Sequence, residues 1–570
     1  MSVADRLAGL SPEQRALFEK LREKQRKDAA RPSPPPPVQR VTGPTGEGDW
    51  PLSLDQERFW FMEQLYPGSA GLNITAATRM RGPVSVPAMA AALDEVVRRH
   101  AAWRTVFPVL DSAPVQRVLA PRSQPLALVD LSGLPEERRE PEVLRLVSEA
   151  TAAPFALEVS LVRPAFVRLG PRDHVCVLTV HHLVTDFISF QIAFGEMAAL
   201  YAGSSALPEL PIQYPDFAVW QRGWLQGEAL EGLVSWWRER LSGFPLALEL
   251  PTDRPRPAVA RMRGGRRVVG ASRELSEALR GLGRREGATL FMTVLAAVAA
   301  LLHRLSGQEK LILGANNANR NRPELEPVLG CFLTQVPFPL DLTGDPTFRE
   351  LLARVRQSAL GSFAHQDLPF GKLVEAIRPE RDPSRQPVVQ ALVQVLDGQP
   401  SKAELAGIAF EPVDAHDGNA RYDLMLTLFD HPGGLAGSLE YDADLFDPAT
   451  AERLAGLLFL QMESAAADPE LRLSGLPVLS EAERHQALVE WNDTARPLPS
   501  WTLPERFATN AAATPEAVAV IAGSERLTYG ELDRRSDDLA RRLHVEPDAR
   551  VALLLGRTPD VPVAILAAWK

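Results

Sequence analysis

The sequence predicts an α/β (α+β) fold made of two lobes of similar size, and three observations predict it. From Trp50 to about Leu476, strand-like and helix-like runs alternate with no linker inside them like the one that precedes them. The chain then turns proline-rich over Pro245–Arg256 (PLALELPTDRPR), which joins the lobes between roughly Trp224 and Pro255. A length of 570 residues allows about three or four domains of ordinary size. A two-lobed body therefore leaves room for flanking segments.

Residues 1–31 are expected to be a helical docking or interaction segment. Ser11-Pro12-Glu13-Gln14 carries a capping signature, Leu10, Leu17, Phe18 and Leu21 form one apolar stripe, and Arg22–Asp28 is a charged end. A short amphipathic helix cannot bury its stripe alone, so it docks on the main body or on another protein. Residues 32–49, which include most of RPSPPPP, read as a Pro/Gly-rich linker.

Residues 50–225 form the first lobe and 226–475 the second. In the first, Val86–His100 is the clearest helix. The run His174–Val180 (HVCVLTV) alternates as a half-buried strand does, and helical spacing resumes at Phe187. In the second lobe, helices are expected at Ser276–Arg285 and across Leu290–Leu302. The latter is the most apolar run, too short to span a bilayer and read as a buried helix. Residues 476–500 read as a linker with a short helix. Residues 501–570 are a separate fragment that buries too little surface for assured independent stability.

Composition narrows the function. A net charge of −10 argues against nucleic acid, which wants a basic face. Two cysteines, Cys176 and Cys331, cannot build a metal cluster and read as reduced core residues. The first residues lack the apolar core of a signal peptide, so a cytoplasmic protein with no membrane partner is expected.

The most informative stretch is His181-His182-Leu183-Val184-Thr185-Asp186. Two imidazoles close a strand, and a carboxylate follows on a short loop before a helix. Binding and catalytic groups concentrate at such places, although a lone His-His pair also serves simply to pack a strand end.

Six further segments weigh against packing alone. They are Ser53-Leu54-Asp55-Gln56-Glu57-Arg58-Phe59-Trp60, Arg99-His100-Ala101-Ala102-Trp103-Arg104-Thr105-Val106-Phe107, Tyr214-Pro215-Asp216-Phe217-Ala218-Val219-Trp220, Gly330-Cys331-Phe332-Leu333-Thr334-Gln335, His365-Gln366-Asp367-Leu368-Pro369-Phe370 and Arg381-Asp382-Pro383-Ser384-Arg385-Gln386-Pro387. In order and spacing, this set resembles the condensation domain of nonribosomal peptide synthetases. Trp491-Asn492-Asp493-Thr494 and Leu527-Thr528-Tyr529-Gly530-Glu531-Leu532 resemble the opening of an adenylation domain. The sequence stops at Lys570 before a phosphate-binding loop, so this fragment is expected to be inactive in adenylation.

The resemblance implies two chloramphenicol-acetyltransferase-like lobes in a V-shaped pseudo-dimer with a central tunnel. It implies a donor carrier protein and an acceptor peptidyl carrier protein, each delivering a 4'-phosphopantetheine arm. The acceptor's amine attacks the donor's thioester and displaces a thiol; no metal and no intrinsic cofactor is needed. If Met1 is the native start, the donor carrier sits on another polypeptide, and a polyketide or fatty-acyl donor stands beside a peptidyl one.

On that pattern His182 faces the amine, either as general base or as a positioning group. His181, on the opposite side of a period-two strand, is supporting, and Asp186 forms a structural ion pair with Arg320. Arg104 and Arg99 read as structural and Tyr214–Trp220 as core. The His365 and Arg381 segments hold the second lobe together. Phe187, Ser189, Thr334 and Gln335 are the expected substrate or tunnel residues.

The chain departs from the pattern at Phe187, where glycine is usual, near Thr334, where an asparagine is missing, and at Gly371, where an acidic residue is usual. A cyclisation domain is disfavoured by the intact histidines. An epimerisation domain, or a non-catalytic recruitment platform on the same fold, remains an alternative.

Overall fold

Helix α1 (Leu54–Leu65) leads into the first sheet, whose strands in chain order begin with β1 (Asn73–Arg81), β2 (Ala127–Asp130), β3 (Val162–Gly170) and β4 (Asp173–His181). The computed structural model describes residues 35–570 apart from positions 44, 66, 69, 205, 399–402 and 414–417. The helix expected over Ser11–Asp28 lies outside the described residues.

The alternation in HVCVLTV decides which way β4 faces, but not how deeply it is buried. Val175 and Val177 pack with Val143 and Val147 of the helix Glu136–Ala152, while Cys176, Leu178 and Val180 enter the larger core with Met89 and Leu93 of the helix Val86–Arg99. The strand is therefore buried on both faces, not half-buried, because a helix layer covers each side of the sheet. β4 lies between β1 and β3, with Asn73 opposite His181 and Val162 opposite Val180. Helices α2 (Phe187–Tyr201) and α3 (Tyr214–Trp224) follow.

The second sheet contains β5 (Gly264–Ala271), β6 (Lys310–Asn317), β7 (Thr334–Asp341) and β8 (Ala391–Asp397). Helix α4 (Phe370–Ile377) lies between β7 and β8 in the chain. The next two strands, β9 (Ala403–Leu405) and β10 (Ile408–Val413), cross to the first sheet before β11 (Leu424–His431) and β12 (Gly434–Asp442) complete the second. The first sheet thus runs β9-β10-β1-β4-β3-β2 and the second β5-β12-β11-β8-β6-β7.

The helix Leu290–Ser306 packs on the second sheet; Thr289 caps its start and Gly307, at φ 73°, ends it in the left-handed region. The helix expected from Ser276 begins at Arg273, because the Ser272 hydroxyl caps the Leu275 N–H.

Two exchanges between the lobes were invisible to pattern reading. Besides β9 and β10, the second lobe lends Leu325, Val328, Leu329, Cys331 and Phe332 to the first lobe's core. The stretch read as linker packs against the protein from Pro35 onward. Trp220 Nε1 donates to the Pro36 carbonyl, Val38 N–H to Glu324, and Val41 and Thr42 N–H to Asp216. These bonds satisfy a backbone whose prolines cannot enter a ladder.

The chain divides into two compact units, Met1–Ser480 and Glu481–Lys570. The second holds a hairpin (Val518–Ala522 with Glu525–Thr528) and the helices Leu503–Ala513, Tyr529–Leu543 and Asp560–Trp569 around Leu532, Val563 and Leu566. Among the described residues no single helix is long and apolar enough to cross a membrane, and no group of three or more metal-binding side chains gathers.

Candidate active site

The end of β4 turns through a short 3₁₀ segment, His182–Val184, and Asp186 caps α2. The His182 N–H donates to the Leu72 carbonyl (2.8 Å), which pins the turn to the loop before β1.

Helix α1 grips this turn with residues spaced along one helical face. Gln56 Nε2 donates to the Leu183 carbonyl (3.0 Å), the Phe59 ring stacks on the His182 ring (centroids 4.6 Å apart, 21° between planes), and Glu63 Oε1 lies 3.1 Å from His181 Nε2. His181 Nδ1 accepts from the Leu183 N–H, so its proton resides on Nε2 and points at Glu63. Both nitrogens of His181 are thereby committed. The two imidazoles diverge, with His181 edge-on to Phe155 and His182 on Phe59.

His182 is differently placed. Its side chain makes no hydrogen bond with any other described residue. Nδ1 is buried and unpartnered, whereas Nε2 is not among the buried unpaired atoms. Burial, followed by the Arg421 guanidinium, pushes the ring down to about 3; Arg58 and His181 act in the same direction, and its own backbone carbonyl offsets them in part. At neutral pH this is a neutral imidazole.

Asp186 is locked. Its Oδ1 accepts from Ser189 N–H (2.7 Å) and from Arg320 Nη2 (3.2 Å), and its Oδ2 accepts from the Phe332 N–H (3.2 Å). Arg320 also donates to the Leu325 and Val328 carbonyls and lies over the Phe332 ring. Both charged side chains are nearly sealed, with 6% and 2% of their surface exposed. The pair ties α2 to the segment following β6, leaving Asp186 no lone pair directed at a substrate.

The expected substrate-wall residues fare unevenly. Ser189 is fully buried, and its hydroxyl is shared among Asp186, Gly330 and Arg320, so it belongs to the Asp186 lock and has no face for substrate. Thr334 and Gln335 open β7 from inside the second lobe; both are buried, and Thr334 Oγ1 and Gln335 Nε2 lack partners among the described residues. Phe187 stands 40% exposed at the first turn of α2 and joins no core cluster.

Arg104 donates to the Val97, Leu119 and Thr45 carbonyls, and Arg99 pairs with Glu196; both serve the fold. Tyr214 and Phe217 are core, with the Tyr214 hydroxyl bonded to Ser53 and to the Cys331 carbonyl. His365 stacks on Trp236, and Arg385 pairs with Asp382, inside the second lobe.

Sequence reading missed Phe59, Glu63, Arg58, Arg421 and Tyr422 as members of the site. For the first two a signal existed: Gln56, Phe59 and Glu63 are spaced three and four apart, which puts them on one face of a helix. For Arg421 none did, because it comes from 350 residues further along the chain, its Nε donating to the Gly71 carbonyl at 2.9 Å.

Comparison with known proteins agrees with this architecture. The condensation-domain family model matches residues 46–488, and the AMP-binding-enzyme model matches 507–570. One of the polypeptides of the linear gramicidin synthase of Brevibacillus parabrevis is 40% identical over 537 residues, covering 92% of this chain and 10% of the relative. Phosphinothricin tripeptide synthetase PhsC of Streptomyces viridochromogenes is 40% identical over 577 residues, covering 99% of this chain and 52% of the relative. The chain thus spans between a tenth and about half the length of these relatives.

Among solved structures, the X-domain from teicoplanin biosynthesis, in complex with OxyB, superposes with a TM-score of 0.71 at 29% identity. It covers 79% of this chain and 99% of that one. The four-domain nonribosomal peptide synthetase AB3403 superposes with a TM-score of 0.79 over 92% of this chain and 41% of that one; at 23% identity it supports the fold. With two six-stranded sheets, the locked Asp186 turn and a family match over more than half its length, this chain belongs to the condensation-domain family.

Proposed function

We propose that the chain forms an amide bond between two carrier-bound substrates, and that His182 positions the attacking amine by a hydrogen bond. The observation that carries this reading is a neutral imidazole with no partner at Nε2 among the described residues, held on a turn that α1, the loop before β1 and Arg320 fix from three sides.

An α-amine has a pKa near 8, so a useful fraction is already nucleophilic at pH 7. A ring whose conjugate acid sits at about 3 is a far weaker base than that amine. Proton transfer from the substrate nitrogen to His182 runs uphill, while accepting a hydrogen bond from the amine costs nothing comparable. Catalysis then rests on orientation: the amine attacks the thioester carbonyl, the C–S bond breaks, and the leaving thiolate takes up the proton released from nitrogen through solvent.

Both substrates reach the site on the 4'-phosphopantetheine arms of carrier proteins, and in this reading the reaction takes place in the cytoplasm. Residues 501–570 form a hairpin and helices, and the reaction proposed here asks nothing of them. The assay loads donor and acceptor carriers, weighs them intact, and determines the configuration of the acyl group. Transfer to the acceptor, lost in His182→Ala, is the expected result. Inverted configuration without transfer means epimerisation. Carrier binding without either reaction means recruitment, a reading kept open by the X-domain's complex with OxyB.

A further inference from the structure

Among the described residues, Arg58 is a cation without a counter-ion. It lies on α1 with its guanidinium carbon 4.5 Å from the Phe59 ring centroid and 5.9 Å from that of Phe370 on α4. It forms no hydrogen bond or ion pair with any described residue, and its Nε is buried and unpartnered. Asp55, one turn earlier on the same helix, affects it only at a distance and makes no ion pair with it. The side chain is half-buried and only Nε is shut away from water, so part of its hydration is lost without return while the rest of the guanidinium stays reachable.

The chain leaves open the position that could supply a partner. A Cβ built on Gly371 would lie 3.6 Å from Arg58 Cδ, in ordinary contact and without a left-handed backbone. A side chain there would start in contact with the arginine stem at Cδ, the carbon next to its head. Glycine at this position leaves the guanidinium free.

Other donors share the neighbourhood. Arg421 uses Nε and Nη2 on the Gly71 carbonyl, and its Nη1 has no partner among the described residues. The Tyr422 hydroxyl has none either, and both guanidiniums act on it and on the His182 ring. Phe59 carries the His182 ring and the Arg58 guanidinium at once, so the two heads stand within two stacking distances.

We propose that Arg58, with Arg421 and the Tyr422 hydroxyl, forms a subsite for a carboxylate carried by one of the two substrates, beside His182. This rests on the amide-forming reading above and narrows it to a substrate class. A planar guanidinium matches a carboxylate with two parallel hydrogen bonds. The phosphate of a pantetheine arm is held far from the reacting thioester by the arm itself, so it does not compete for this place.

The test uses near-isosteric acidic and neutral pairs on the full chain. Aspartyl and asparaginyl groups are compared on the acceptor carrier, and succinyl and succinamoyl groups on the donor carrier, with kcat/KM read for each. One pair should favour its acidic member about tenfold or more, and the arm that does so identifies which substrate carries the carboxylate. Gly371→Glu supplies a carboxylate from within the protein, and Arg58→Gln removes the cation; each should lower that ratio about tenfold.

No preference on either arm, or a ratio unchanged in both variants, overturns the proposal. Calorimetric binding of aspartyl against asparaginyl N-acetylcysteamine thioester reads the subsite without turnover. Preferential binding of the aspartyl compound, lost in Gly371→Glu, would uphold the subsite even where absent transfer in every pair refuted the amide-forming reading.

Discussion

The Phe59 ring stacks on His182 with centroids 4.6 Å apart, so the imidazole most exposed to chemistry is also the one held by a hydrocarbon face. The stack removes water from one side of the ring and, with Arg421 and Arg58 nearby, keeps it neutral. This arrangement separates two jobs that a histidine can perform. A base needs a stable charged form, whereas an acceptor of hydrogen bonds needs only a lone pair in the right place.

If His182 is an acceptor, the pH profile of kcat/KM for amide formation carries one limb, from the amine. Activity should fall about tenfold per pH unit below the amine's pKa, with no added break between about pH 5 and 7. Phe59→Leu lets water reach the ring and raises its pKa towards the ordinary histidine range, which should add an acid limb near pH ~6. A parent profile that already breaks there would contradict the neutral-ring account.

Asp186 and Arg320 form a buried pair at 3.2 Å. Removing one partner leaves the other charged and enclosed, which costs about 3–5 kcal/mol. Asp186→Asn and Arg320→Met should each lower the melting temperature and the activity together. The double variant should be less destabilised than the sum of the two. Full stability in Asp186→Asn with lost turnover would instead make the carboxylate a chemical participant.

Burial pushes Asp55 up to about 7, with Arg58 and Gln221 opposing it weakly. A solvated aspartate titrates at about 3.9, so between those values the folded carboxyl keeps a proton that the unfolded chain has lost. Stability from this group is full below pH ~4, falls as pH rises to about 7, and is then level. Asp55→Asn should match the parent near pH ~4 and exceed it at pH ~8 by on the order of 4 kcal/mol. Chemical denaturation at both values checks this; parallel curves for the two proteins would mean that the side chain is solvated.

Phe187 is 40% exposed and packs into no core cluster. Phe187→Gly should therefore cost no more than about 1 kcal/mol, the helix propensity difference. If this ring shapes the approach to His182, the variant changes the ranking of a panel of carrier-bound donors. An unchanged ranking assigns Phe187 to the surface alone.

Much of the site could be read from the chain because it is local. The strand His174–Val180, the histidines at its end and Asp186 at the start of α2 all follow from periodicity and short-range order along the chain. The failures are non-local. Alternation gave the facing of β4 but not its burial, since covering the second face depends on a helix packed from elsewhere. Prolines at 35–37 suggested a free linker, but carbonyl and amide groups beside them found partners on Trp220, Glu324 and Asp216.

By itself, then, the sequence determined a two-lobed α/β chain with an imidazole pair on a strand terminus, because helix, strand and cap preferences act over a few residues. Only the tertiary structure decided that Ser189 belongs to a lock, that Phe59 and Glu63 hold the two histidines, and that Arg58 and Arg421 both act on His182. Charge and desolvation depend on what surrounds a group in space, and those neighbours come from segments hundreds of residues apart.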